Sequence, residues 1–276
     1  MRKNAWVICC CTAVLAAFGT FFRWLQDQVC FEADTGLAVR GSIWPYAVAL
    51  MIVIAAVVLA VVCFRMKNQP HTYFPDSLPA ALAASPRVRT IGGIVLGALL
   101  AVGGLWLLLG SGTLASPGLQ RVLAVLAIAA GAAFARQMLA PGDAETASGA
   151  VVCASMPIVL LAFWLIVLLA FWLIVSYKVN IINPTVSAYA VEILALCAAL
   201  IASYEFAGFA YGRPKAIKSI FWSQFAAFLC ITALPDDRAG GQQLMLAAIA
   251  GILLFQSYLT ASNIRPAVSG PVGGAQ

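Results

Sequence analysis

Eight apolar stretches separated by short polar breaks decide what this sequence can become. They run Ala5–Trp24, Trp44–Phe64, Ile91–Leu109, Val122–Met138, Ala150–Tyr177, Ser187–Tyr211, Ser219–Leu234 and Gln243–Thr260. Several reach the roughly 20 residues that a helix needs to cross the hydrocarbon of a bilayer. Of the 276 residues, 63% are hydrophobic and only 9% charged, and the mean hydropathy is +0.98. A soluble domain is nearer half apolar and a quarter charged, because its surface must stay wet. The expected fold is an all-α polytopic transmembrane bundle of about eight spans. It forms one integral membrane domain over 1–276, with possible halves at 1–140 and 150–262 and a short disordered tail at 263–276.

The first stretch has a basic start, as a signal peptide has, but it ends in "FFRWLQDQ", the aromatic and charged belt of a retained helix end. Orientation follows from Lys and Arg, which favour cytoplasmic loops. With the N-terminus inside, the inner loops hold Arg2, Lys3, Arg65, Lys67, Arg87, Arg89, Arg136, Arg213, Lys215, Lys218 and Arg265. The outer ones hold Arg23, Arg40, Arg121, Lys178 and Arg238, which is 11 against 5 of the 16. Both termini are then cytoplasmic. The net charge of +6 is spread over these short loops, so nucleic acid is not an expected partner. The expected partners are the lipid bilayer and, for the assembled protein, further copies of this chain or other membrane subunits.

Two internal similarities suggest a parallel 4+4 repeat. "WPYAVALMIVIAAVVLA" from Trp44 parallels "SAYAVEILALCAALIAS" from Ser187, and "LQRVLAVLAIAAG" parallels "GQQLMLAAIAG". A stronger repeat lies inside the fifth span, where "LLAFWLIV" occurs twice in succession, Leu160 to Val175. Eight residues turn a helix by ~800°, so the second copy is rotated by ~80° from the first. In a packed interface such a duplication misdirects every later side chain, whereas hydrocarbon accepts it. The expectation is a lipid-facing helix.

Charged residues inside spans cost on the order of 2.5–3.5 kcal/mol near the bilayer centre and default to functional candidates. Three qualify: Glu192, Glu205 and Arg136. Glu192 shares a helical face with Tyr189, Ala199 and Ser203, a small and polar stripe expected to face protein. Glu205 lies about 140° around the same helix. By depth, Glu192 can meet Arg23 or Lys178, and Glu205 can meet Arg136. Two meanings stay open for this candidate intramembrane polar site: ion pairs that fix packing, or a cation or proton site whose carboxylate changes partner.

Other chemistry finds little material. The single histidine, His71, lies in a proline-broken loop, which removes a bis-histidine haem and a membrane Ser–His dyad. No G-x-x-x-x-G-K-[ST] occurs. The cysteines lie mostly in apolar runs, where cysteine packs as a small apolar residue. No cofactor, metal or catalytic residue is expected, and the chain is read as non-enzymatic. Gly93, Gly97 and Ala101 form a small-residue stripe for close helix packing. "YEFAGFAYGRPK" carries an ordinary helix stop at Gly212 and Pro214.

The combination of "FFRWLQDQ", "SYKVNIINP" and "YEFAGFAYGRPK" resembles multi-pass membrane proteins of bacteria to which no activity is attached. The resemblance implies a plasma-membrane location and carries over no functional residue. Within those limits the sequence points to a small-solute or ion transporter, or else to a non-catalytic subunit or scaffold of a larger membrane complex.

Overall fold

Each of the eight apolar stretches becomes a helix. The structure is a computed structural model; it describes residues 2–30, 42–68, 72–110, 117–139, 150–180, 186–210 and 212–266, with backbone alone for 2–4, 72, 86, 150–162, 186–188 and 265–266. In chain order the helices are α1 (Arg2–Val29), α2 (Trp44–Lys67), α3 (Leu78–Ala81), α4 (Pro86–Leu109), α5 (Pro117–Leu139), α6 (Ala150–Asn180), α7 (Val186–Ala207), α8 (Ala216–Thr232) and α9 (Gly240–Ser262). Seven of them are long and apolar enough to cross a membrane, and α8, with 17 residues, is a shorter apolar helix. This is a multi-pass membrane helix bundle.

Several helices begin or end outside the expected limits, for local reasons. Prolines open α2, α4 and α5 near their first turns, where the missing N–H would be unpaired anyway. α1 continues past Trp24 to Val29 because Arg23 donates to Gln26 Oε1 at 3.0 Å and faces Asp27 at 3.9 Å, spacings that favour the helix. Cys30, just past the end of α1, is buried beside Ser42, Sγ to Oγ 2.8 Å. α7 stops at Ala207, and Gly212 adopts φ +68, a backbone region that glycine enters without a steric penalty.

The short α8 is the centre of the bundle, packed by α1, α2, α7 and α9. Because protein rather than lipid surrounds it, it can carry Ser219, Ser223, Gln224 and Thr232 fully inside. α2 is the opposite case. One stripe, Val48, Ala55, Leu59, Cys63 and Met66, is buried, while Tyr46, Leu50, Val53, Val57, Val61 and Phe64 are exposed. An apolar surface on both sides suits a helix whose outer solvent is hydrocarbon.

The expected stripe on α4 does what its spacing implies. A Cβ added at Gly97 would lie 2.5 Å from the carbonyl oxygen of Gly131 on α5, and Gly131 in turn meets the Gly97 carbonyl. Gly93 faces Met138 and Gly104 faces Ala124, so α4 and α5 touch backbone to backbone. The halves of the chain are not packed alike: α7 lies along α8, whereas α2 and α4, at the corresponding places, make no extended contact among the described residues.

α4 also leads back to the loop that precedes it. Ser77 stands at the N-cap position of α3 without a side-chain capping hydrogen bond, and Pro79 lies in its first turn. Here β1 (Thr72–Tyr73) pairs antiparallel with β2 (Arg265–Pro266), and Asn263 Nδ2 donates to the Ala81 carbonyl at 2.9 Å. Residues 263–266, expected to begin a disordered tail, are therefore held at this end, and 267–276 lie outside the described residues. Beside the pairing, the Tyr73 hydroxyl donates to Asp76 Oδ2 at 2.8 Å, and that bond pushes the phenol pKa up.

The doubled octapeptide corrects its expectation. In the second copy Leu168, Leu169, Trp172 and Val175 are all 0% exposed, while Phe163 in the first copy is 55% exposed. α6 is thus not a lipid-facing helix along its length. The ~80° rotation between copies gives equivalent positions different surroundings: Trp172 and Val175 are buried where Trp164 and Val167 are half-buried, and Leu165 is buried where Leu173 is half-buried.

Candidate functional site: a buried chain of charges

Where α1 and α6 end, α7 begins and α8 turns into α9, charged side chains gather into one connected chain. It starts at Glu192, in the second turn of α7. Its Oε1 accepts from the indole Nε1 of Trp172 at 3.0 Å and from the Ser176 hydroxyl at 2.6 Å. The other oxygen, Oε2, meets Nε of Arg238 at 3.2 Å. Arg238 also binds Asp236 Oδ2 through Nη2 at 2.5 Å and the Ala233 carbonyl through Nη1 at 2.8 Å. Asp236 gives its second oxygen, Oδ1, to Nε of Arg23 at 2.6 Å. Asp27 and Gln26 complete the sequence around Arg23.

Burial makes the pairing obligatory. Arg23 is 1% exposed, and Glu192 and Asp236 are 6% and 7% exposed. A guanidinium cannot shed its proton in a protein, and an unpaired ion in such surroundings costs several kcal/mol. The local fold supplies the partners. The turn after α8 places Asp236 and Arg238 two residues apart, and Gln243 Nε2 fastens it by donating to the Asp236 carbonyl at 3.2 Å. Together Glu192, Asp236 and Asp27 set three carboxylates against the two guanidinium groups of Arg23 and Arg238. One oxygen of Asp27, Oδ2, is buried without a hydrogen-bond partner.

The residues singled out from sequence fall into separate places. The stripe on α7 does face protein, with Glu192, Ala199 and Ser203 buried and Tyr189 half-buried. Glu192 joins neither of its two expected partners directly; Arg238 takes it, and Arg23 sits one carboxylate further along. Glu205 is half-buried and Arg136 exposed, and no ion pair joins them among the described residues. Arg136 points out because the adjacent face of α5, with Phe134, Gln137 and Met138, is the one packed inward. Ser203 belongs to the other end of α7, where its hydroxyl donates back to the Ala199 carbonyl at 2.8 Å.

Two groups escaped sequence reasoning. Asp236 and Arg238 lie in "LPDDR", which reads as a loop breaker; yet an arginine on the outer side runs against the usual bias, and that is the signal pointing to a buried partner. The second group is uncharged. Gln224, at the middle of α8, accepts from Thr12 at 2.6 Å and donates to Ser257 at 2.9 Å, tying α8 to α1 and α9. A glutamine inside an apolar run is the signal there.

The fold and this site together define a multi-pass membrane protein with a buried ionic cluster at one end of its bundle. Compared with protein-family models, curated proteins and solved structures, the chain matches none.

Proposed function

We propose that the protein carries a small cation or solute across a bacterial plasma membrane, and that the chain Glu192–Arg238–Asp236–Arg23 is a latch at the outer end of its path. The observation that supports this most is the joining, inside the bundle, of ionised groups from three separate parts of the chain: α1, α7 and the α8–α9 turn. Intramembrane ionisable groups mark ion pathways by default, and pairs between separate elements can exchange partners when those elements shift. Asp236 already serves both arginines, one oxygen each. Among the described residues the three carboxylates outnumber the two guanidinium groups, the sign that attracts a cation. Enzymatic activity is not part of the reading.

A second reading is a non-catalytic helix-bundle subunit or scaffold of a larger complex. It is favoured by the saturation of the Glu192–Arg238 pair: all three guanidinium nitrogens of Arg238 and both oxygens of Glu192 are bonded. A latch so complete also serves as a permanent clamp.

Purified full-length protein in liposomes separates the two. Under the transport reading the wild type dissipates a proton, sodium or potassium gradient faster than protein-free vesicles, and Glu192→Gln abolishes this in a variant that still folds. Under the clamp reading no flux appears, and Glu192→Gln costs roughly 3–5 kcal/mol, because Arg238 loses a buried counter-charge. Normal flux with normal stability in the variant would sink both.

A further inference from the structure

At the opposite end of the bundle from the charges, α5, α6, α7 and α9 leave a cavity of about 20 Å³. Phe134, Leu165 and Phe206 form its apolar wall, and Gln137, Ser203 and Gln256 its polar one. Both glutamines are more than nine-tenths buried, at 6% and 3% exposure. Neither is satisfied: Nε2 of Gln137 and Oε1 of Gln256 have no hydrogen-bond partner. Leaving a buried donor and a buried acceptor unmade is costly, and most costly where lipid removes bulk water from the surroundings.

We infer that this cavity is a binding site for one water molecule, which links α5 to α7 and α9. The donor and acceptor inventory selects the ligand. Gln137 offers an N–H, Gln256 a carbonyl oxygen, and Ser203 an oxygen whose own hydrogen is already given to Ala199. The complementary occupant accepts one hydrogen bond and donates two, as water does. A metal cation or ammonium accepts nothing and is repelled by the Gln137 N–H. An anion donates nothing to Gln256. Size agrees, since a buried water needs roughly 10–15 Å³ of such volume and about three polar partners. The link matters because α5 otherwise packs on α4 and α6 and makes no extended contact with α7 or α9 among the described residues. The inference does not depend on what the charge chain does.

Two measurements test it. A high-resolution structure of the full chain in lipid nanodiscs should show a density peak within hydrogen-bond distance of Gln137 Nε2, Gln256 Oε1 and Ser203 Oγ. An empty cavity, a direct Gln137–Gln256 bond, or a peak with the short contacts of a metal ion would overturn the proposal. In a double-mutant cycle, Gln137→Leu and Gln256→Leu should each lower the unfolding temperature by roughly 2–8 °C, by stranding the remaining amide and its water. The double variant should recover at least half of the summed loss, because neither polar group is left. Additive losses would mean that the amides share no ligand. If a single variant fails to fold, the wild-type density alone decides.

Discussion

Glu192 shows how one buried carboxylate recruits its surroundings. An indole, a hydroxyl and a guanidinium are all turned to it, and bonds to a charged acceptor are worth more than neutral ones. Trp172 is therefore more than a space-filling ring. Trp172→Phe keeps most of the packing but removes the indole donor, and should cost roughly 1.5–3 kcal/mol. Its twin in the first octapeptide, Trp164, is half-buried, and Trp164→Phe should cost about 0.5 kcal/mol or less, as for a side chain outside any special feature. Chemical or thermal unfolding of the two variants in the same detergent checks this. Equal losses would mean that the copies are equivalent after all.

At the scale of the helix, small residues set which pairs come closest. The α4–α5 seam has glycine against glycine at Gly97 and Gly131, and a larger side chain there meets backbone, which cannot rotate away. Gly97→Leu should lose about 1–3 kcal/mol or more through overpacking. Gly118, in the first turn of α5, has nothing within 4 Å of an added Cβ, so Gly118→Ala should stay within about 0.5 kcal/mol of the parent. Comparing their unfolding temperatures separates close approach from mere glycine content. A tolerated Gly97→Leu would disprove the seam.

The whole molecule has two unlike ends. One carries the charges of Arg23, Asp236, Arg238 and Glu192. The other carries the β1–β2 pairing and the Asn263–Ala81 bond, and brings the segment before α4 against the end of α9. By the bias of Lys and Arg toward cytoplasmic loops, this second end is predicted to face the cytoplasm. Reporter fusions at Gln276 and near Thr35 should accordingly give cytoplasmic and exterior signals. An exterior signal from Gln276 would invert the assignment and place the latch on the inner side.

Hydrophobicity is a property of each segment by itself, so the eight apolar helices, seven of them long enough to cross a membrane, their approximate limits and the small-residue seam of α4 could be read from the sequence alone. The protein-facing stripe of α7 was legible for the same reason: helical spacing puts Glu192, Ala199 and Ser203 on one side whatever lies opposite. Partners are another matter. In a lipid-exposed bundle apolar residues serve equally well inside and outside, so burial cannot be read from hydrophobicity, and the expectation of a lipid-facing α6 fails at Leu168, Leu169, Trp172 and Val175. Nor does spacing along one helix reveal which cation arrives from 46 residues away, as Arg238 does at Glu192. Gln137, Ser203 and Gln256 share a wall only because α5, α7 and α9 converge there. Those decisions belong to tertiary packing: each depends on the distance between elements that the chain connects only through long detours.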